Sequence, residues 1–183
     1  MGVNRLHNAL AALWGFAEAT LFFIVPDVLL SWLGLRSQRS ALVASAYALI
    51  GALLGGWLMY RWAVQDFAGI RAWVLSLPGV SPQLLELARQ QLHDIGVLAL
   101  FKGGFGGVPY KTYAIHAAAE GVELAWFLTA SVAARWLRFV LVMVLTRQLL
   151  LHLLPHHSLS VQRCWLLAGW LVFYAIYFTW LTP

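Results

Sequence analysis

The sequence predicts an all-α membrane protein with two charged helical hairpins and about three full transmembrane helices. Of its 183 residues, 62% are hydrophobic and only 10% are charged, and the mean hydropathy is +0.77. Soluble domains carry about 25% charged residues, so this composition indicates an integral membrane protein. The hairpins are predicted where a proline and ionisable side chains interrupt an apolar stretch, because charge at membrane depth is kept for pairing, polar cavities or substrates.

Chain length, cysteine content and net charge further limit the kinds of protein that fit this sequence. We expect one membrane domain over residues 1–183. The single cysteine, Cys164, excludes a disulfide framework and any CxxC motif. The net charge of +5 is interpreted as a topology and anionic-lipid signal rather than as a nucleic-acid site. No cleavable signal peptide is expected, because acidic residues interrupt the apolar start of the chain.

Residues 6–35 predict the first re-entrant hairpin. Glu18 and Asp27 are its interior charges, and Pro26 cannot continue a regular helix without losing a backbone hydrogen bond. We expect residues 8–20 to enter the bilayer and residues 26–34 to return. The alternative is one proline-kinked spanning helix with buried acids, since such kinks are tolerated in membranes.

The second hairpin is predicted over residues 96–120. It contains Lys102 and Lys111, whose sequence separation equals that of the two acids in the first hairpin. Corresponding broken segments of this kind indicate an inverted repeat with its site between the hairpins. The bend is expected to break the helix over Gly103, Gly104, Gly106, Gly107 and Pro109.

The remaining segments predict continuous helices. Residues 41–60 form an uncharged span that ends at Arg61 and has the GxxxG spacing of Gly51 and Gly55, which favours close helix contact. Ser81 and Pro82 predict the start of an amphipathic helix over residues 81–95, which lies at the interface or packs across the bundle.

Two more spans are predicted over residues 124–146 and 164–182. The first carries Arg135 and Arg138, which share one helix face because they stand three residues apart. Counting basic residues in the loops places the N-terminus in the cytoplasm and, with three full crossings, the C-terminus outside.

Four segments of the chain resemble the DedA/VTT superfamily, and in particular its short YqaA-like branch. The family pattern E-x-S-x-F-P-x-P-P-D-x-x-L is similar to residues 18–30, and its glycine-rich helix ending in tyrosine is similar to residues 51–60. P-x-P-Y-K-x-x-x-I is similar to residues 107–115, and G-R-x-x-R-F/Y to residues 134–139. The chain departs from these patterns at Phe23, Val25, Gly107 and Ala134.

The resemblance implies opposed re-entrant hairpins and a role in moving lipids across a membrane. It links bacterial relatives to undecaprenyl phosphate recycling and phospholipid translocation, often driven by the proton-motive force, and eukaryotic relatives to lipid scrambling. We therefore expect a bacterial cytoplasmic (inner) membrane protein whose partner is an anionic polyprenyl phosphate or a phospholipid.

The charged residues suit a phosphate headgroup. Arg135 and Arg138 offer planar guanidinium groups that match phosphate oxygens, and Lys111 and Lys102 add point charges. The hairpin acids are candidates for binding protons or handling charge. A competing interpretation is a structural network in which Glu18 and Asp27 only neutralise Arg135 and Lys111.

Two other function classes stay open as alternatives, a membrane-embedded lipid-phosphate enzyme and a non-transporting scaffold. We expect no enzyme, because Ser131 lacks a base placed by the sequence to activate it. No metal or cofactor is expected either. His116 is predicted to be a packed side chain, and a homo-oligomer is left open. A histidine cluster near the interface, without other ligands nearby, comprises His152, His156 and His157.

Overall fold

The computed structural model describes residues 2–180, with side chains over residues 5–179, and this part of the chain consists of α-helices without a β-strand. The predicted all-α class is therefore confirmed. The helices are α1 (Gly2–Thr20), α2 (Asp27–Arg36), α3 (Gln38–Gln65), α4 (Phe67–Leu75), α5 (Pro82–Ile95), α6 (Ala99–Gly106), α7 (Tyr110–Ala119), α8 (Leu124–Leu153) and α9 (Leu159–Trp180), with a 3₁₀ turn at Gly96–Leu98.

Three of these helices are long and apolar enough to cross a membrane. They are α3, α8 and the Leu159–Thr179 part of α9, with mean hydropathies of 1.8, 1.7 and 1.4. Helices α3 and α8 are longer than the predicted spans 41–60 and 124–146, because a charged residue marks the limit of an apolar stretch without ending the helix. Thus α3 continues past Arg61 and α8 continues past Arg147. Helix α9 begins before the predicted start at residue 164, and residues 181–182 of that predicted span lie outside the described residues.

Between α3 and α5, the sequence predicted only a mixed segment, but the structure has the short helix α4. Asp66 separates the two helices, and its Oδ1 accepts a hydrogen bond from the Gly69 backbone N–H at 2.9 Å. This is an N-cap interaction, which satisfies a free donor at the start of a helix. The predicted cap of α5 is also present, because Ser81 Oγ accepts from the Leu84 N–H.

Helices α1 and α3 run parallel in close contact. A Cβ atom added to Gly51 would lie 1.9 Å from the Ala12 carbonyl oxygen, and one added to Gly55 would lie 2.7 Å from the Ala19 Cβ. The contacts thus advance along both helices in the same direction. Only glycine permits this approach, as the GxxxG spacing predicts.

The chain reverses twice inside the bundle. The first reversal lies between α1 and α2, which together form the first unit. Only Ser37 separates the end of α2 from the start of α3. The open end of this unit, opposite its turn, therefore lies beside the N-terminal end of α3. The chain turns again between α6 and α7, and the loop after α7 lies at the opposite end of α3. There the Tyr60 hydroxyl donates to the Val122 carbonyl oxygen at 2.8 Å.

The second reversal is shorter than predicted. Helix α6 runs through Gly103, Gly104 and Gly106, and the chain turns only at Gly107, whose φ is +78°, followed by Pro109. The expected break over the whole glycine run was wrong. Gly103 is needed for space instead, since a Cβ there would lie 2.2 Å from Tyr113 Oη.

Acidic side chains of α5 and of the loop after α7 lie at the end of the bundle where α3 ends. Arg89 of α5 contacts the Glu86 carboxylate at 2.7 Å and reaches Glu120 at 3.7 Å. The hydrogen bonds from Arg89 lower the pKa of the exposed Glu86 carboxyl to about 2. At the other end of α3, Arg36 and Arg39 are exposed.

Candidate functional site

A cluster of buried charges lies at the centre of the bundle. Arg135 of α8 hydrogen-bonds the Glu18 carboxylate of α1, and Arg138 Nη2 lies 2.9 Å from Asp27 Oδ2. Both carboxylates are buried, with Asp27 only 1% exposed. Asp27 is the first residue of α2, where the helix dipole favours negative charge. The predicted shared face of the two arginines therefore holds the two acids of the first hairpin.

These pairs are remote from both ends of α8. At a rise of about 1.5 Å per residue, the arginines lie about 17–21 Å from Leu124 and about 22–27 Å from Leu153. A single unpaired charge at such depth would be strongly unfavourable in a hydrocarbon environment. The acids of α1 and α2 supply the required opposite charge.

Lys111 joins the cluster from the second hairpin. Its side chain is 1% exposed, and its Nζ donates to the Phe22 carbonyl oxygen at 2.6 Å. The structural-network interpretation, in which Asp27 neutralises Lys111, is wrong in its pairing. Asp27 is the first residue of α2 and pairs with Arg138 of α8. Lys111 instead donates to the Phe22 carbonyl oxygen, in the turn that follows α1.

Tyr110 supports the Arg135 guanidinium from one side. The Arg135 Cζ lies 4.4 Å from the centroid of the Tyr110 ring, a cation–π distance, and the Tyr110 hydroxyl donates to Ser131 Oγ at 2.9 Å. Gly56 makes room for this ring, since a Cβ there would lie 2.3 Å from Tyr110 Oη. Tyr110 was not predicted as a site residue, although its position next to Lys111 was a usable signal.

Two polar atoms of the cluster are buried without a hydrogen-bond partner among the described residues. They are Asp27 Oδ1 and Arg135 Nε. Leaving a buried polar atom unsatisfied costs about 1–3 kcal/mol, which offsets part of the stability that the ion pairs provide. The ion pairs therefore use only part of the hydrogen-bonding capacity of the cluster.

A cavity of about 400 Å³ opens next to these charges. Its polar wall contains the side chains of Glu18, Lys111 and Arg138, while Asp27 and Arg135 lie behind that wall. Both chain reversals contribute to the lining, as do α8 and α9. This volume is in the range of small-molecule binding sites, and a few charged groups among apolar side chains are typical of such sites.

The other predicted site residues divide between the cavity and its surroundings. Lys102 is exposed on α6 and is not part of the lining. Gly104, Gly107 and Pro109 do line the cavity. Pro26 is buried immediately before α2, as expected for the first bend, whereas Gly103 is buried under Tyr113 and Gly106 is exposed.

The histidines lie away from the cavity. His152, His156 and His157 are exposed near the end of α8. His116 is buried, packs edge-to-face on the Phe67 ring, and its Nδ1 lies 2.8 Å from the Thr112 carbonyl oxygen. Within residues 5–179, no three His, Cys, Asp or Glu side chains are grouped to hold a metal ion.

A comparison with curated proteins finds a similar bacterial protein. The chain is 29% identical over 129 residues to an uncharacterized protein of Haemophilus influenzae, which covers 69% of this chain and 65% of that protein. The match thus spans less than two thirds of the relative's length. No protein-family model and no solved structure matches the chain.

Proposed function

We propose that the protein is a lipid translocase of the flippase or scramblase kind. It takes the phosphate headgroup of a membrane lipid into the charged cavity and passes it from one leaflet to the other. The substrate is an anionic polyprenyl phosphate, such as undecaprenyl phosphate, or a phospholipid. The motif similarity to the DedA/VTT superfamily and a location in the bacterial inner membrane belong to the same proposal.

The imbalance of buried charge is the observation that carries this proposal. Three cations, Lys111, Arg135 and Arg138, meet only the carboxylates of Glu18 and Asp27 within the described cluster. Lys111 forms its hydrogen bond to a neutral carbonyl, so the cluster holds one more cation than anion beside the cavity. Burying an unpaired ion costs several kcal/mol, and an anionic headgroup would remove that cost.

The two chain reversals are proposed to be re-entrant hairpins. The first unit opens at one end of α3 and the second at the other, and both reversals reach the same cavity. Irregular backbone is tolerated at membrane depth where it lines a polar cavity. Opposed broken helices with a site between them are also the usual plan of transporters built from inverted repeats.

Proton coupling through Glu18 is the proposed source of energy for transport. Glu18 lines the cavity beside Lys111, so proton binding to its carboxylate would break the Arg135 pair when a headgroup is present. In this proposal Glu18 binds the proton at the cavity wall. Asp27, which does not line the cavity, is the second proton-handling acid. Transport that is unaffected by a pH gradient across liposomes would contradict this part of the proposal.

The rival classes receive less support. The Ser131 hydroxyl donates to the Phe127 carbonyl oxygen and accepts from Tyr110, so within the described site it faces no carboxylate or imidazole base. A scaffold would need only the two neutral ion pairs. It would not need a third cation beside a cavity.

Headgroup translocation in proteoliposomes tests the proposal. Wild-type protein should move a fluorescent phosphate-bearing lipid, and Lys111→Met should reduce the rate at least tenfold because it keeps the apolar stem but removes the charge. Lys102→Met is the matched control, since Lys102 is exposed outside the cavity, and its rate should stay close to wild type. Absence of translocation by folded wild-type protein, or release of inorganic phosphate, would contradict the transporter.

A further inference from the structure

We infer that the apolar half of the cavity is a binding slot for a hydrocarbon chain of the substrate lipid, an inference that rests on the proposed function. The slot lies between α8 and α9. Its walls are side chains that would suit an alkyl or prenyl chain, including Val142, Leu149, Leu150, Trp165, Gly169 and Phe173.

The slot is continuous with the charged end of the cavity. Arg138 and Leu150 both line it and stand on the same helix, about 18 Å apart at a rise of about 1.5 Å per residue. Leu166 of α9 packs against Leu150 at the apolar end. The cavity therefore has one charged end and one long apolar end, which matches an amphiphile better than a free phosphate ion.

Hydrogen bonds at the cavity walls attach α9 to the rest of the bundle. Trp170 Nε1 donates to Ser31 Oγ at 3.2 Å, and Tyr174 Oη accepts from the Val25 backbone N–H at 2.8 Å. The Tyr177 hydroxyl donates to the Gly79 carbonyl oxygen at 2.9 Å. Only 11% of the span in α9 is buried, and these contacts lie on the side of the helix that lines the cavity.

Such a slot would mainly orient the bound lipid and would add little binding energy. Lipid tails are as apolar as the slot, so transfer from the bilayer provides little hydrophobic driving force. A chain held along α8 would instead keep its phosphate near Arg138 and Lys111. We therefore expect the slot to select long-chain lipid phosphates over short-chain ones.

Substituting Gly169 with a residue that has a larger side chain is expected to fill the slot. This glycine lies within α9 and lines the cavity, yet a Cβ atom added to it would have no atom within 4 Å. A larger side chain thus enters open space without displacing the backbone. The neighbouring Ala168 is exposed and does not line the cavity, so the same substitution there is the matched control.

Photolabelling in nanodiscs tests the slot directly. The ligand is a long-chain alkyl phosphate with a diazirine near the far end of its chain, and labelled peptides are mapped by mass spectrometry. Wild-type protein should be labelled at the slot-lining side chains Val142, Leu149, Leu150, Trp165 and Phe173. Gly169→Leu should reduce this labelling at least tenfold, whereas Ala168→Leu should leave it within twofold of wild type.

Two labelling results would overturn the slot. One is labelling confined to the outward side of α9, for example at Leu171 and Val172; the other is unchanged slot labelling in Gly169→Leu. Slot labelling by a protein that moves no lipid would support the slot and contradict transport. Translocation that depends on Lys111 but is unchanged in Gly169→Leu would support transport and contradict the slot.

Discussion

Each acid of the buried cluster faces its own arginine, Glu18 with Arg135 and Asp27 with Arg138. The second pair combines a fully buried carboxylate side chain with an arginine side chain that is 18% exposed. Removing one member of such a pair leaves the other charge without compensation, which is more harmful than removing both. The net contribution of each pair to the free energy of unfolding is thus smaller than the loss measured when one of its members is substituted.

A double-mutant cycle measures this interaction. Asp27→Asn and Arg138→Gln should each lower the free energy of unfolding by about 3–5 kcal/mol, and the double variant should lose clearly less than the sum. The measurement is reversible unfolding in mixed micelles. Glu86→Gln with Arg89→Gln is the control cycle, and its coupling should be much smaller because both side chains are exposed. Additive losses at Asp27 and Arg138 would contradict a direct pair.

At the scale of elements, the contact between α1 and α3 places the first hairpin. A Cβ added to Gly15 would lie 2.1 Å from the Ala48 carbonyl oxygen, and the same main-chain approach occurs at Gly51. The neighbour in each case is backbone, which cannot rotate away as a flexible side chain could. The position of Glu18 relative to α8 therefore depends on glycine several residues earlier.

Gly15→Ala should destabilise the protein even though alanine is the better helix former. Helix propensity favours alanine by about 1 kcal/mol, but overpacking against a fixed backbone typically costs about 1–3 kcal/mol. We expect a lower melting temperature together with slower lipid translocation. Gly169→Ala is the control, since its Cβ meets open space and its melting temperature should not fall. A Gly15→Ala protein as stable as wild type would show that α1 and α3 are less closely packed.

The elements that could be predicted from sequence are those with local signals. Pro26 followed by Asp27 identifies the first bend, and Ser81 with Pro82 identifies the start of α5. Helix α4 was missed because its apolar residues lie in a segment that also contains charges. The role of Gly103 was misread, because composition cannot show whether a glycine provides flexibility or space for a distant tyrosine.

The site was only partly predictable for a related reason. Spacing along α8 shows that Arg135 and Arg138 share a face, but their partners lie more than a hundred residues away in sequence. Which acid meets which arginine depends on how far α1 and α2 extend into the bundle. Local patterns also could not place Lys102 outside the cavity and Lys111 inside it.

At the scale of the whole molecule, the proposed topology has two units opening on opposite sides of the membrane. In the first, Arg5 and Arg36 are exposed at the outer ends of α1 and α2. In the second, Asp94 and Glu120 are exposed at the ends of α5 and α7. A kinked spanning helix would instead separate the members of a pair.

Thiol accessibility distinguishes these topologies. In a Cys164→Ser background, Arg5→Cys and Arg36→Cys should react with a membrane-impermeant maleimide from one and the same side. Asp94→Cys and Glu120→Cys should react only from the other side, and Cys164→Ser alone is the unlabelled control. Labelling of Arg5→Cys and Arg36→Cys from opposite sides would mean that the first unit crosses the membrane.

Side chains at three positions along α8 bind the first hairpin, which consists of α1 and α2. Arg135 holds α1, Arg138 holds the start of α2, and Arg147 Nη1 donates to the carbonyl oxygens of Gly34 and Leu35 near its end, at 2.6 and 3.0 Å. Sliding or rotating α8 against this hairpin would break all three attachments together. In the transport cycle proposed above, α8 and the first hairpin would therefore move together as one rigid frame.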